Sequence, residues 1–282
     1  LNVNQLLRGN YAKKSNLDHK LVTFVVKFTI FLEELNIIDV TAYHLDKYGS
    51  IYQCKEKYPM QKVSLYTELE YAFLFTLRKV NSINTAGFRT FFENLPIDPY
   101  VQGEYRSRRL SRFKVSGDKL VKLPHGYLLQ SGKYNPLLGD IKREFAELDD
   151  ALIELEIFKN LIFAFCDACK LYPEADIGVH QIRISCLPNH LGHPAPEGIH
   201  RDGSDIIGIF SVDRDNIQGG EAHVYTAKKE KPVFNKILQP GELFLVNDRE
   251  FFHFATPIKT QNPGMGNMDV FVITSPSLIS DF

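Results

Sequence analysis

Gly178-Val179-His180-Gln181-Ile182-Arg183-Ile184-Ser185 marks where the chain changes character. Polar and β-branched residues alternate there with a period of two, the pattern of a strand with one face buried. From Ile177 onward the same kind of short run recurs at residues 206–212, 222–226, 243–247, 251–257 and 268–275, and each reads as a strand. Gln218-Gly219-Gly220, Gln239-Pro240-Gly241, Asn247-Asp248 and Asn262-Pro263-Gly264 supply turns between them. Six or more short strands at this spacing predict an antiparallel double-sheet barrel or jelly roll, which manages its open edges by wrapping.

Upstream the period is different. From Leu17 to about Ala168 the strong periodicities are helical. Val22, Phe24, Val25, Phe28, Phe31, Leu32 and Leu35 recur mostly at three- and four-residue steps, and Leu65, Leu69, Phe73 and Leu77 at four. Residues 149–170 predict a long amphipathic helix with Leu152, Leu155, Phe158, Leu161, Ile162 and Phe165 on one side. The expected class is therefore α+β, with helices packed on one sheet of a β core. No repeat or low-complexity linker argues for separately folding domains.

The chain of 282 residues is long enough for one large core, and 44 % hydrophobic with 24 % charged residues is the balance of an ordinary soluble protein. A formal net charge of −1 gives no field for capturing nucleic acid or an anionic membrane. The apolar run at residues 21–35 is broken by Lys27, Glu33 and Glu34, so no membrane span is expected. A cytoplasmic location is the expectation, with a homodimer left open and local basic clusters able to bind a small anion. Cys166-x-x-Cys169 has redox or zinc spacing, but it falls inside the predicted helix without a second ligand pair, so buried structural thiols are expected.

His200-Arg201-Asp202, with His253 downstream, carries the chemistry. On a strand, residues two apart point to the same face, so His200 and Asp202 can meet one ion. His253 lies near the start of a later predicted strand. Two histidines and one carboxylate are the donor set that holds iron(II) on one side and leaves open positions for oxygen. Gly198 and Gly203 let the backbone bend at each end of the motif. His180, His190, His193 and His223 are competing ligands, of which His190 and His193 sit in a Pro/Gly-rich loop.

Residues 196–203 (Pro-Glu-Gly-Ile-His-Arg-Asp-Gly), Gly219-Gly220-Glu221 and residues 248–258 resemble the bacterial iron(II)/2-oxoglutarate dioxygenases that hydroxylate free amino acids, relatives of isoleucine 4-hydroxylase and pipecolic acid hydroxylase. Residues 105–113 and His180-Gln181-Ile182-Arg183 are similar to further blocks of that family. The resemblance spans roughly Phe91 to Thr274, so the expected division is a helical N-terminal extension over residues 1–90 and a catalytic domain over 91–282. It implies a double-stranded β-helix, Fe(II) held by His200, Asp202 and His253, 2-oxoglutarate and O2 as co-substrates, and hydroxylation of an aliphatic carbon of a free amino acid or similar small carboxylate.

The chain departs from that pattern at one place. About fifteen residues after the distal His the family carries an Arg that pairs with the far carboxylate of 2-oxoglutarate, a task suited to a planar guanidinium. Here the position is Met268, whose thioether cannot replace a cation. The favoured reading is that Arg249, Arg183 or Lys259 substitutes for it; the alternatives are a different 2-oxo acid or none, or a metal-binding chain that has lost turnover. For the substrate, the pool of expected contacts is Arg106, Arg109, Arg112, Gln181 and Glu197. Arg106 and Arg108 would share one face of a strand with Arg109 on the other; Glu197 would receive an ammonium group. The rival readings are a cupin-like non-oxidative metalloenzyme that ignores 2-oxoglutarate, and a metal-binding, catalytically silent interaction protein.

Overall fold

The computed structural model describes residues 38–45, 51–54 and 75–282. Along the chain run strands β1 (Ile38–Leu45), β2 (Ile51–Cys54) and β3 (Phe75–Val80), a 3₁₀ turn of helix at Thr85–Phe92, then β4 (Arg106–Ser116), β5 (Lys119–Lys122) and β6 (Tyr127–Leu128). Helices α1 (Asp150–Ile153) and α2 (Glu156–Cys169) follow. The remainder is β7 (Glu174–Cys186), β8 (Ile206–Asp215), β9 (Ile217–Gly219), β10 (Glu221–Tyr225), β11 (Phe234–Ile237), β12 (Glu242–Asn247), β13 (Phe252–Ala255), β14 (Ile258–Thr260), β15 (Gly266–Ser275) and β16 (Ile279–Ser280).

Nine strands form one sheet in the order β2-β1-β3-β12-β8-β15-β7-β4-β5, and β11-β10-β13 form a second, smaller sheet. Every pairing in both is antiparallel. The six strands expected from residue 178 onward are all present, as β7, β8, β10, β12, β13 and β15, with shifted ends. The four-residue period ending at Leu77 misled: Leu77 lies on β3, paired to Thr41 and Phe244. The helical stripe over Val22–Leu35 and the positions Leu65, Leu69 and Phe73 lie outside the described residues. Between residues 75 and 148 the chain is mostly strand and turn, where helix was expected.

The large sheet has two different faces. Phe158, Leu161, Ile162 and Phe165 recur at helical spacing on α2 and are fully buried with Phe113, Val179, Phe210 and Phe271 of the sheet. Each such ring or aliphatic side chain contributes about 1.5–3 kcal/mol of burial free energy. Gly208 permits the close approach, because a Cβ there would stand 2.7 Å from the Phe165 ring. Phe88 and Phe92 of the 3₁₀ segment meet Phe271 edge-on at 5.1 and 5.2 Å between centroids. Cys166 and Cys169 are buried on α2, and burial pushes the Cys166 thiol up to about 12, so neither is a reactive pair.

A second cluster, Phe75, Phe244, Val246, Val224, Phe234 and Phe251, pins the small sheet to the β3–β12 end of the large one. Toward β8, β15, β7 and β4 the two sheets part, and the opposite face of the large sheet lines a cavity. Among the described residues no helix is long and apolar enough to cross a membrane.

Candidate metal centre

His200 and Asp202 are not on a strand, as the two-residue spacing had suggested. They lie in the segment leading to β8, and only His200 forms an isolated antiparallel bridge, to His253 of β13. The bridge is double: His200 N donates to His253 O at 3.1 Å and His253 N donates to His200 O at 2.9 Å. It sets the imidazoles side by side, 4.2 Å between ring centroids. Asp202 reaches the same point from the loop, and the three side chains offer ligand atoms all within 4.8 Å of one another.

The surroundings fix tautomer and direction. His200 Nδ1 lies 2.8 Å from Gly198 O, so it donates there and leaves Nε2 for the centre. That Nε2 stands 3.4 Å from Asp202 Oδ1 and 3.1 Å from Glu197 Oε1. His253 Nε2 is 3.9 Å from Asp202 Oδ2, while its Nδ1 makes no hydrogen bond and lies 3.6 Å from Asp248 Oδ1. Asp248 is buried and accepts the backbone N–H groups of Asp202 at 3.2 Å and Gly203 at 2.7 Å, which holds the loop that carries Asp202. Gln130 Nε2 donates to Asp202 Oδ1 at 2.9 Å.

Charge is distributed as a cation site would have it. Burial acts to raise the Asp202 carboxyl, but His200 and His253 outweigh it and hold the group well below the usual carboxylate range. Burial acts to lower His200, but Glu197 and Asp202 win and push it up to about 9. His253 is pulled down to about 3 by burial and by the neighbouring His200. Burial, then the Asp202 charge, raises Asp248 to about 7. Glu197 and Asp202 thus favour positive charge at the His200 ring, while His253 stays neutral and available as a donor. The residues fit a divalent iron with oxygen, nitrogen and open positions.

The cavity beside this centre is rich in guanidinium groups. Arg106 donates through Nε and Nη2 to Asp98 Oδ2, both at 2.8 Å. Arg108 is fully buried, donates to His180 Nδ1, lies 3.8 Å from Asp98 and rests 4.3 Å over the Phe145 ring; its Nε has no partner. Arg143 donates to Gln130 Oε1 and also keeps an unpartnered Nε. Burial and the crowding by Arg106 pull Arg108 down to about 9 and lower Arg143. Arg106 and Arg108 therefore share the carboxylate of Asp98, while Arg143 has Glu197, Asp98 and Asp202 as its acidic neighbours. Arg214 of β8 lines the cavity too.

Several expected contacts lie elsewhere. Arg109 faces away and donates to Glu147 O at 2.7 Å. Arg112 is on the same face as Arg106 but beyond Leu110, where it pairs with Asp176 and Asp281. Gln181 and Arg183 were expected to line the barrel, yet Ile182 and Ile184 do so. The strand is turned by one residue relative to that expectation: Gln181 donates to Phe91 O, and Arg183 makes a two-pronged pair with Asp269 at 2.7 Å. Arg249 is exposed and paired to Asp205, and Lys259 is exposed on β14. Arg106 and Glu197 do line the cavity. Arg143, Gln130 and Arg214 carried no motif that singled them out, and Asp248 stands out in the sequence only as a turn residue at the head of the block 248–258. Of the competing histidines, His180 and His223 line the cavity outside the cluster of metal donors, while His190 is exposed.

Residues 89–274 match the family model described as 2OG-Fe dioxygenase, which is more than half of the chain. The 3(1)-hydroxy-L-isoleucine 4-dioxygenase of Pantoea ananatis (strain AJ13355) is 25 % identical over 194 residues, which cover 65 % of this chain and 77 % of that protein. Among solved structures, a bsmA homolog from Methylobium petroleophilum PM1 superposes with a TM-score of 0.60 at 28 % identity, covering 68 % of this chain and 80 % of the other. The Fe(II)/(alpha)ketoglutarate-dependent dioxygenase TqaL gives 0.51 at 12 % identity, over 93 % of this chain and 91 % of its own, a likeness of fold.

Proposed function

The chain belongs to the 2OG-Fe dioxygenase family, and on that premise we propose that it hydroxylates an aliphatic carbon of a small free amino acid at the His200–Asp202–His253 centre. As a member it is an Fe(II)- and 2-oxoglutarate-dependent dioxygenase that uses O2. We read its two facing sheets, with the cavity between them, as a double-stranded β-helix. The observation that carries the proposal is the convergence of two imidazole Nε2 atoms and one carboxylate on a cavity lined by buried guanidinium groups.

When bound, iron with 2-oxoglutarate supplies the oxygen activation; the protein's own residues choose which carbon is presented. Arg106, Arg108 and Arg143 are crowded buried cations, and Arg108 and Arg143 each keep an unpartnered Nε, so a substrate carboxylate would satisfy those N–H groups and relieve the mutual repulsion. Ile182, Ile184, Val270 and Val272 give the same cavity apolar walls for an aliphatic side chain. Glu197 stands close to the centre and can take the substrate ammonium. The relative from Pantoea ananatis is named for an isoleucine derivative, a substrate of this size and character.

The test is a panel of free amino acids incubated with Fe(II), 2-oxoglutarate and O2. At least one aliphatic member should yield a product heavier by one oxygen, with succinate formed in equal amount. Oxygen uptake and succinate that no amino acid or small carboxylate stimulates would overturn the proposal.

A further inference from the structure

Arg214 occupies a position that strict alternation along β8 would deny it. Ile207, Ile209 and Ser211 face the cavity, while Phe210 and Val212 face the helices. The next inward position would be Asp213. Instead the register against β15 shifts: Val270 pairs with Ser211, whereas Asp269 pairs with Asp213 and Met268 with Arg214. The extra residue is a β-bulge, which puts Val212 and Asp213 on the same side and turns Arg214 inward. Asp213 points outward to Arg89, with Nε to Oδ2 at 3.0 Å.

The guanidinium delivered there is held by neutral partners alone among the described residues. Its Nη2 donates to Gly219 O at 2.6 Å, and its Nη1 meets Met268 Sδ at 3.6 Å. Among the described residues it pairs with no carboxylate, and burial lowers its pKa with no acidic neighbour to raise it. Space is kept beside it: a Cβ on Gly220 would lie 3.1 Å from Nη1 and 2.8 Å from Met268 Sδ, and the backbone there has φ +66°. From the Asp202 end of β8 to Arg214 the inward side chains are Ile207, Ile209 and Ser211. The wall thus runs from a metal centre across largely apolar surface to a lone cation, the outline of a linear dicarboxylate bound to metal at one end.

We propose that Arg214, turned inward by the bulge, holds the distal carboxylate of 2-oxoglutarate, its guanidinium lying against Met268 on the neighbouring strand. This rests on the dioxygenase reading above. It also assigns the two cationic walls: Arg214 on β8 to the co-substrate, and the Arg106–Arg108–Arg143 group to the substrate. Arg183, Arg249 and Lys259 are released from the role.

The test follows binding, not turnover. Anaerobic Fe(II)-loaded protein is titrated with 2-oxoglutarate and with 2-oxopentanoate, which has the same chelating head and a neutral end, and the visible charge-transfer absorption of the chelate is read. The wild-type chain should prefer 2-oxoglutarate on the order of 100-fold, the value expected of a partly buried charged pair. Arg214→Gln should remove that preference and leave 2-oxopentanoate binding unchanged, while Arg108→Gln should keep it. The double exchange Arg214→Met with Met268→Arg, which returns the guanidinium to β15, should restore it. Retention of the preference in Arg214→Gln, or its loss in Arg108→Gln instead, overturns the assignment. If the unmutated protein binds iron but forms no chelate with 2-oxoglutarate, the dioxygenase reading itself falls and this assignment with it.

Discussion

The cavity has two walls built by the same kind of strand pairing, and they handle charge differently. On the β4–β7 wall the register runs unbroken from Arg106 opposite Ile184 to Ser116 opposite Glu174. Strict alternation there places Arg106 and Arg108 together on the inner face, crowded with Arg143 around Asp98. On the β8–β15 wall a bulge breaks the alternation and presents one cation, Arg214, whose guanidinium pairs with no carboxylate among the described residues. Regular register concentrates charge, and irregular register isolates it. A crowd of cations suits an anion that must also be oriented, whereas one guanidinium on an apolar wall suits the end of an extended chain.

The contrast can be broken most forcefully at Asp98. Asp98→Asn removes the carboxylate that the regular wall depends on and leaves buried guanidiniums uncompensated. The expected cost is about 3–5 kcal/mol, read by chemical denaturation. A loss under about 1 kcal/mol would mean that the three cations do not burden the fold. Arg108→Met should act on function more than on stability. Substrate KM should rise on the order of 10- to 100-fold in steady-state kinetics, with the 2-oxoglutarate KM unchanged. Parallel rises in both constants would show that the walls are not separate.

The bulged wall is probed by Gly220→Ala. The new Cβ would meet Met268 Sδ at 2.8 Å in a left-handed backbone, so the variant should lose about 1–2 kcal/mol by thermal unfolding and bind 2-oxoglutarate more weakly. Tighter 2-oxoglutarate binding would place the co-substrate elsewhere. The smallest effect is expected at Arg112→Gln. Arg112 shares a face with Arg106 and Arg108 but is tied to Asp176 and Asp281 near the surface, so kcat/KM should be unchanged and stability should move by less than about 1 kcal/mol. A marked loss of turnover would extend the substrate wall past Leu110.

The same contrast explains what the sequence made legible. Period-two runs marked the six later strands, and His-x-Asp with a distant His marked the candidate metal cluster, because residue types and spacing carry that information directly. The pairing of Arg106 with Arg108 against Arg109 followed from alternation alone, and β4 obeys it. Arg214 was hidden because its direction depends on an extra residue in β8, which shows only when β8 is laid against β15. Gln181 and Arg183 misled because alternation fixes two faces without saying which is inner; α2 packs on Val179 of the face they share and the 3₁₀ segment meets Gln181. His200 and Asp202 converge through a bridge to His253 and a loop held by Asp248, so the candidate ligands come together without the strand that their spacing had suggested. Leu77 shows the converse, a four-residue step that sits on a sheet because tertiary pairing overrides a short periodicity.

The claim on which both walls depend is that the His200–Asp202–His253 cluster holds iron. Anaerobic Fe(II) binding by equilibrium dialysis tests it directly, on the wild-type chain and on Asp202→Ala and His253→Ala variants checked for folding by circular dichroism. One tightly held iron per wild-type chain, lost in both folded variants, is the expected result. Undiminished iron binding in either folded variant would contradict the account.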